Sequence, residues 1–313
     1  MATTITVQNT IDYAQCFNQF RPMNIGANDQ PVITAANLLL MTILSPPFAW
    51  NWNRNSVSFL TTIGVQDYAI PAPTFGFIEK ASWVPAANII NVTVLNNVAT
   101  YETEQPLGPA FVAGAFVTVT GCVSSIYNVN LAQITSVSPN SFSVATTLSA
   151  GSQIQSPTAV AINGSRTEIS QMMNVLGDGN EQGTPANISP QIDNNEGTIT
   201  FRTLPLPDQI YQIVIIFQNR IPALISGLAN TWAPIPDHYS HIYQWGFTAM
   251  MLAYSGNPMW QQFNSKFVTS LLGVAEGLSQ EQKNIFQATW LASLTEISST
   301  AQKAQMGNQA KGV

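Results

Sequence analysis

The chain has 313 residues, 45% of them hydrophobic, with a net charge of −6 and a pI near 4.8; only 8% are Asp, Glu, Lys or Arg, where a globular protein usually carries roughly 25%. The hydrophobic fraction excludes a disordered chain, and the longest apolar stretches, such as 35–44 (AANLLLMTIL), are too short for the roughly 20 residues of a membrane-spanning helix. The ten basic residues are scattered singly, which argues against sequence-specific nucleic-acid recognition.

So few charges leave two readings of the surface. Either much of it is covered by other subunits, since Lys and Glu are depleted at interface cores, or it belongs to a monomer with an uncharged polar exterior. No basic stretch followed by an apolar run opens the chain, so no secretory signal is expected. Cys16 and Cys122 fall in no metal-binding spacing and are expected as buried thiols in a reducing cytosol.

In chain order, Tyr13, Cys16, Phe17 and Phe20 fall at helical spacing after Thr10, a candidate N-cap, and Arg21-Pro22 ends the run. Pro31 suits the first turn of a second helix. Its stripes Val32, Ala36, Leu39, Ile43 and Ile33, Leu40, Leu44 make it apolar on most sides, and Ser45-Pro46-Pro47 stops it. SVSFLTT and DYAIP read as a hairpin, and FGFIEKASWV and IINVTVL as two successive strands.

Residues 81–165 hold only two charged side chains, Glu102 and Glu104. FVAGAFVTVTG, YNVNLAQITSVS and NSFSVATTL alternate with period two, so an all-β module is expected over 86–163, looped out of the surrounding fold. TITFRTLPLP and YQIVIIFQNR follow as strands. The last third predicts three helices: His238–Ser255, apolar around most of its circumference; one capped by Asn257 and carrying Trp260, Phe263, Phe267, Leu271 and Val274 to Gly277; and one opened by Ser279 and Gln282 and carrying Phe286, Trp290, Leu294 and Ile297. The tail after about residue 300 has no apolar stripe.

The expected fold is therefore α+β: a terminal helical bundle with an attached antiparallel sheet and an inserted small all-β module. The divisions are 1–85 (N-terminal helices and first strands), 86–163 (inserted module), 164–236 (remaining β part), 237–300 (C-terminal helices) and 301–313 (flexible tail).

Chemistry has few candidates. His238 and His241 sit at a helix start beside Asp237 with no further ligand nearby in sequence, so a capped terminus is favoured over a metal site. DGNEQG at 178–183 imitates the start of a calcium loop, but Ser189 stands where the chelating Glu belongs. No GxSxG, GxxxxGK[ST] or GxGxxG occurs, and only a carboxylate pair brought together by the fold could supply hydrolytic chemistry. In PPFAWNWNRN, an extended backbone puts Trp50 and Trp52 on one face and Asn51 and Asn53 on the other. Without a basic groove this is read as a corner packed on the C-terminal helices, with Arg54 anchored to carbonyls or a carboxylate, in preference to a base-stacking platform.

The ordered set PFAWNWNR, GVQDYAIP, FIEKASWV, RTEISQMMN, GTPANIS, GTITFRTLPLPDQIYQIVIIFQNRIPAL and WAPIPDHYSHIYQWGFTAMML resembles the head-to-tail adaptor proteins of tailed bacteriophages, of the tail-tubular-protein-A type, over roughly 28–275 apart from the β module. The resemblance implies a virion structural protein at the head–tail junction, made in the host cytoplasm. It would form a ring of twelve copies that joins the portal protein to a downstream tail or nozzle protein and continues the DNA channel. It implies no catalytic residue, cofactor or metal, and no membrane contact. The β module departs from the minimal adaptor and would meet a neighbouring subunit, a fibre or the capsid. Trp50, Trp52, Arg54, Trp232, Tyr239, Tyr243, Trp260 and Trp290 are the expected interface or structural anchors. A receptor- or carbohydrate-binding tail component, and a wall-degrading enzyme, are the rival expectations.

Overall fold

The computed structural model describes residues 3–17, 30–171, 181–193, 197–221, 225–275 and 277–309. It divides into two compact units, Met1–Arg54 with Gln218–Val313, and Asn55–Phe217.

The first unit holds helices α1 (Val7–Gln15), α2 (Gln30–Leu44), α3 (Ser240–Tyr254), α4 (Trp260–Val274) and α5 (Gln280–Gln309). α1 begins four residues earlier than Thr10 suggests. Thr6 is its N-cap, in a reciprocal capping box with Asn9, and the helix buries Val7, Thr10, Ile11 and Ala14. That rotation puts Phe17 and Cys16 at the surface, so Cys16 is an exposed thiol and Cys122 a half-buried one, contrary to expectation. Phe20, Arg21 and Pro22 lie outside the described residues.

α2 buries both stripes read from its sequence, from Val32 to Leu44. α3 is the hub, packing against α1, α2, α4 and α5. Gly246 permits the closest approach: a Cβ there would lie 2.8 Å from Leu39 of α2 and 2.8 Å from Phe267 of α4. Asn257 Oδ1 accepts from Met259 N to start α4, and Ser279 and Gln282 bond reciprocally to start α5, as their spacing predicts. α5 continues as helix to Gln309.

The β part runs β1 (Arg54–Leu60), β2 (Asp67–Pro71), β3 (Phe75–Leu95), β4 (Val98–Thr103), β5 (Phe116–Thr120), β6 (Val129–Ser138), β7 (Ser141–Ala145), β8 (Gly151–Ile154), β9 (Val160–Asn163), β10 (Thr167–Gln171), β11 (Gln182–Gly183), β12 (Asn187–Asp193), β13 (Thr198–Leu204), β14 (Leu206–Pro207) and β15 (Tyr211–Asn219). All but β11 and β14, which pair with each other, belong to one hydrogen-bonded network of 13 strands. It is mixed, because β10 and β12 run parallel while their other neighbours are antiparallel.

This overturns the expected architecture. The chain is not a terminal helical bundle with an attached sheet and a small inserted module; a large mixed sheet is its main element. The reason lies in β3. Its 21 residues were expected as two strands, but it passes unbroken through Pro85.

The N-terminal half of β3 pairs with β10 as far as Trp83, and the C-terminal half pairs with β9 from Ala86. Pro85, which has no N–H to donate, stands where the strand changes partners, a position at which that loss is harmless. At that exchange Ala86 is buried in a small cluster with Val160 and Ile210.

The expected β1–β2 hairpin is also absent. β1 pairs with β15 and β2 with β13, where Arg202 bonds Asp67 through both carboxylate oxygens at 2.7 and 2.8 Å.

Along the C-terminal half of β3 the sheet closes on itself in the order β3-β4-β7-β6-β5-β9-β3, every pairing antiparallel. Closure gives each of these six strands a partner on both sides. The barrel encloses Val92, Tyr101, Val117, Val119, Ile134, Phe142 and Val144. Tyr101 stacks on Phe142 with ring centroids 5.1 Å apart and donates its hydroxyl to Tyr127 O at 2.7 Å.

Candidate functional site

The residues expected as anchors all fall in the first unit, and all but Arg54 come together in its core or against it. Trp50, Trp232, Tyr243, Trp260 and Trp290 are buried in its core, and Trp52 and Tyr239 pack against that core half-buried. Trp50 and Trp52 stack at 5.5 Å, and both lie against Tyr239. The backbone between them is a single 3-10 turn, Asn51–Asn53, so the expected alternation of indoles and amides does not occur. Trp50 Nε1 donates to Ile43 O at 2.7 Å, and Asn53 and Asn219 exchange side-chain to carbonyl bonds at 3.2 and 2.9 Å. PPFAWNWNRN is thus a corner built by its aromatic rings. Arg54, the exception, is exposed at the start of β1.

Trp232 stacks on Tyr243 at 4.9 Å and donates Nε1 to Thr10 Oγ1 at 2.9 Å, which fastens α1 to the core. Burial in a site with no hydrogen-bond partner among the described residues pushes the Tyr243 hydroxyl well above the ordinary tyrosine range. The expected cap at Asp237 does not form: neither the 3-10 turn Asp237–Tyr239 nor α3 has a side-chain cap hydrogen bond, because the carboxylate is taken by the segment before α1. That carboxylate accepts from Thr4 Oγ1, Thr4 N and Ile5 N at 2.6 to 3.4 Å, and the Thr4 hydroxyl first, then those amides, holds its pKa below the usual aspartate value. Among the described residues no group of three His, Cys, Asp or Glu side chains could hold a metal ion. Asp178 and Asn180 of the calcium-loop imitation lie outside the described residues.

What the sequence did not single out is the exterior of the barrel. Several residues of its strands, and of the loops and the strand β8 beside them, are large, apolar and exposed. Ile154 is 81% exposed and Leu131 68%, while Val112, Phe116, Val123 and Ile126 are each more than half exposed. Phe116 and Leu131 lie on the adjacent strands β5 and β6. Leu131 occupies the extra position of a bulge opposite Val117–Val119 and has φ of +51°, a conformation that bulky L-residues avoid. A strained leucine held in solvent is the least expected residue on this surface. The signal for it was present, since a run of 85 residues with two charges cannot make an ordinary solvated exterior.

The first unit has smaller exposed apolar groups: Leu38 and Met41 one turn apart on α2, and Ile285 and Leu291 on the side of α5 away from its buried Trp290 and Leu294. No family model matches this chain, and no curated protein matches it closely enough in sequence to stand as a relative.

Proposed function

We propose that this chain is a structural component of a tailed-phage virion, a head-to-tail connector that works by packing against sister copies, the portal protein and the next tail protein. The observation that carries the proposal is the barrel exterior. Val112, Phe116, Val123, Ile126, Leu131 and Ile154 project into solvent from a segment whose only charges are Glu102 and Glu104. So many exposed apolar side chains on one nearly uncharged segment favour a surface that packs against other subunits over one that stays in solvent. Strain at Leu131 points the same way, because backbone strain persists where the residue serves contacts made elsewhere. The order of motifs from PFAWNWNR to WAPIPDHYSHIYQWGFTAMML supplies the particular assembly.

In such a connector the copies form a ring, and its acidic balance leaves the passing DNA ungripped. The decisive experiment is band sedimentation of the purified chain with and without the portal protein of its own virion. Co-sedimentation as a closed ring on the portal is expected. A chain that neither binds portal nor self-associates refutes the reading.

A further inference from the structure

We infer that the β5–β6 hairpin of the barrel is a contact surface for a second copy of this chain, with the same strip on both partners. Five of the twenty residues from Val112 to Leu131 are large apolar side chains more than half exposed: Val112, Phe116, Val123, Ile126 and Leu131. Phe116 starts β5, Val123 and Ile126 stand in the loop that joins β5 to β6, and Leu131 lies on β6 beside Thr118, whose Oγ1 accepts the Leu131 amide at 3.2 Å. That bond holds the bulged backbone in which Leu131 has φ of +51°. The five side chains leave on the order of 500 Å² of apolar surface, toward the top of the range for the largest patch on a monomer. With the uncharged Thr118, Asn130 and Gln133 among them, the strip approaches the roughly 800 Å² that each partner contributes to a stable pair.

Charge selects the occupant. Asn55–Phe217 carries three basic and ten acidic residues, a net −7, so two copies repel over most of this unit. The strip is an exception, because residues 105–165 contain no charged side chain. Glu102 belongs to the row Asn91, Glu102, Ser141, Ser138, which ends on β6 seven residues from Leu131, roughly 20 Å along the strand. Two copies therefore meet at the strip without bringing carboxylates together, and a basic partner finds no carboxylate there to pair with. Among the described residues the other large apolar side chains more than half exposed are Leu95, Ile154, Ile192 and Ile285, which stand on four different elements. Within the chain only the strip itself matches the strip, and a patch that meets its own kind gives a closed twofold pair. The pair belongs to the chain free of portal. It rests on the reading of this face as an assembly surface, and not on the portal as partner.

The test is sedimentation equilibrium of the full chain without portal, and a concentration-dependent dimer is expected. Phe116→Asp sets like charges in the contact and should weaken pairing about tenfold or more, as should Phe116→Lys, while an equimolar mixture of the two variants should recover it. Leu38→Asp, on the exposed side of α2, should leave the dimer unchanged. A circular-dichroism melt of each variant confirms that it folds, and Leu131→Asn, which relieves the left-handed backbone, is the substitute if one does not. A chain still monomeric at roughly 100 μM, a dimer unaffected by both Phe116→Asp and Leu131→Asn, or a mixture no better paired than its parts would each overturn the inference. A monomer that binds portal only with Phe116 intact would also overturn it and leave the connector reading standing; a dimer sensitive to Phe116→Asp that ignores portal would do the reverse.

Discussion

Trp290 Nε1 donates to Asn264 Oδ1 at 2.8 Å, joining α5 to α4 through two buried side chains. Around it Trp290 packs against Phe267 at 5.2 Å and stacks on Phe286. Replacing Asn264 by Leu strands the indole N–H in an apolar site, which costs about 1–3 kcal/mol. Urea unfolding should show that loss, and Trp290→Phe in the same background should recover part of it, because Phe has no donor to orphan. Additive losses in the double variant would mean the bond contributes nothing of its own.

Gly246 is required for the approach of α2 and α4 to α3. Ala there would press on Leu39 and Phe267, both fully buried and without room to yield. Gly246→Ala is expected to destabilise by about 1–3 kcal/mol, even though Ala is the better helix former by about 1 kcal/mol. A thermal melt that rises instead would show that the helices can separate.

Two buried tyrosines make opposite predictions. The Tyr101 hydroxyl reaches Tyr127 O, so Tyr101→Phe leaves that carbonyl unpaired and should cost about 1–2 kcal/mol. The Tyr243 hydroxyl has no partner among the described residues, so Tyr243→Phe should be neutral or stabilising. Chemical denaturation of the pair ranks them, and equal losses would contradict the assignment.

Asp237 ties the segment before α1 to the start of α3. Its folded pKa is depressed, so the stabilisation is complete above the unfolded aspartate value near 4 and disappears as pH falls through the lower folded value. As pH falls through that lower folded value the protection factors of the Thr4 and Ile5 amides should drop, and Asp237→Ala should bring that loss of protection to neutral pH. Hydrogen exchange reads both amides directly, and protection that ignores pH would remove Asp237 from this role.

Leu131 separates stability from assembly. Asn tolerates the left-handed backbone far better than Leu, so Leu131→Asn should leave the melting temperature unchanged or raise it, by up to about 1 kcal/mol of stability. If the exposed leucine serves contacts with other subunits, the same change should weaken ring formation in the sedimentation assay. Assembly unaffected by both Leu131→Asn and Phe116→Asp would show that this face lies outside the interface.

Local signals in the sequence determined a good deal by themselves. The stripes of α2, the Ser279–Gln282 box, the cap at Asn257 and the alternation of 111–148 each depend on residues within a few positions of one another, so they could be read without a fold. What tertiary structure decided was partnership. FGFIEKASWV and IINVTVL read as two strands, yet in the folded chain they are one, and Pro85 between them marks the point where β3 exchanges one set of neighbours for another. The short strands β8 and β9 carried too little pattern to be noticed, although β9 closes the barrel. The row Asn91, Glu102, Ser141, Ser138 draws on residues up to 50 positions apart. Hydrogen bonding between strands fixes such a row, and no local periodicity encodes which strand will lie beside which.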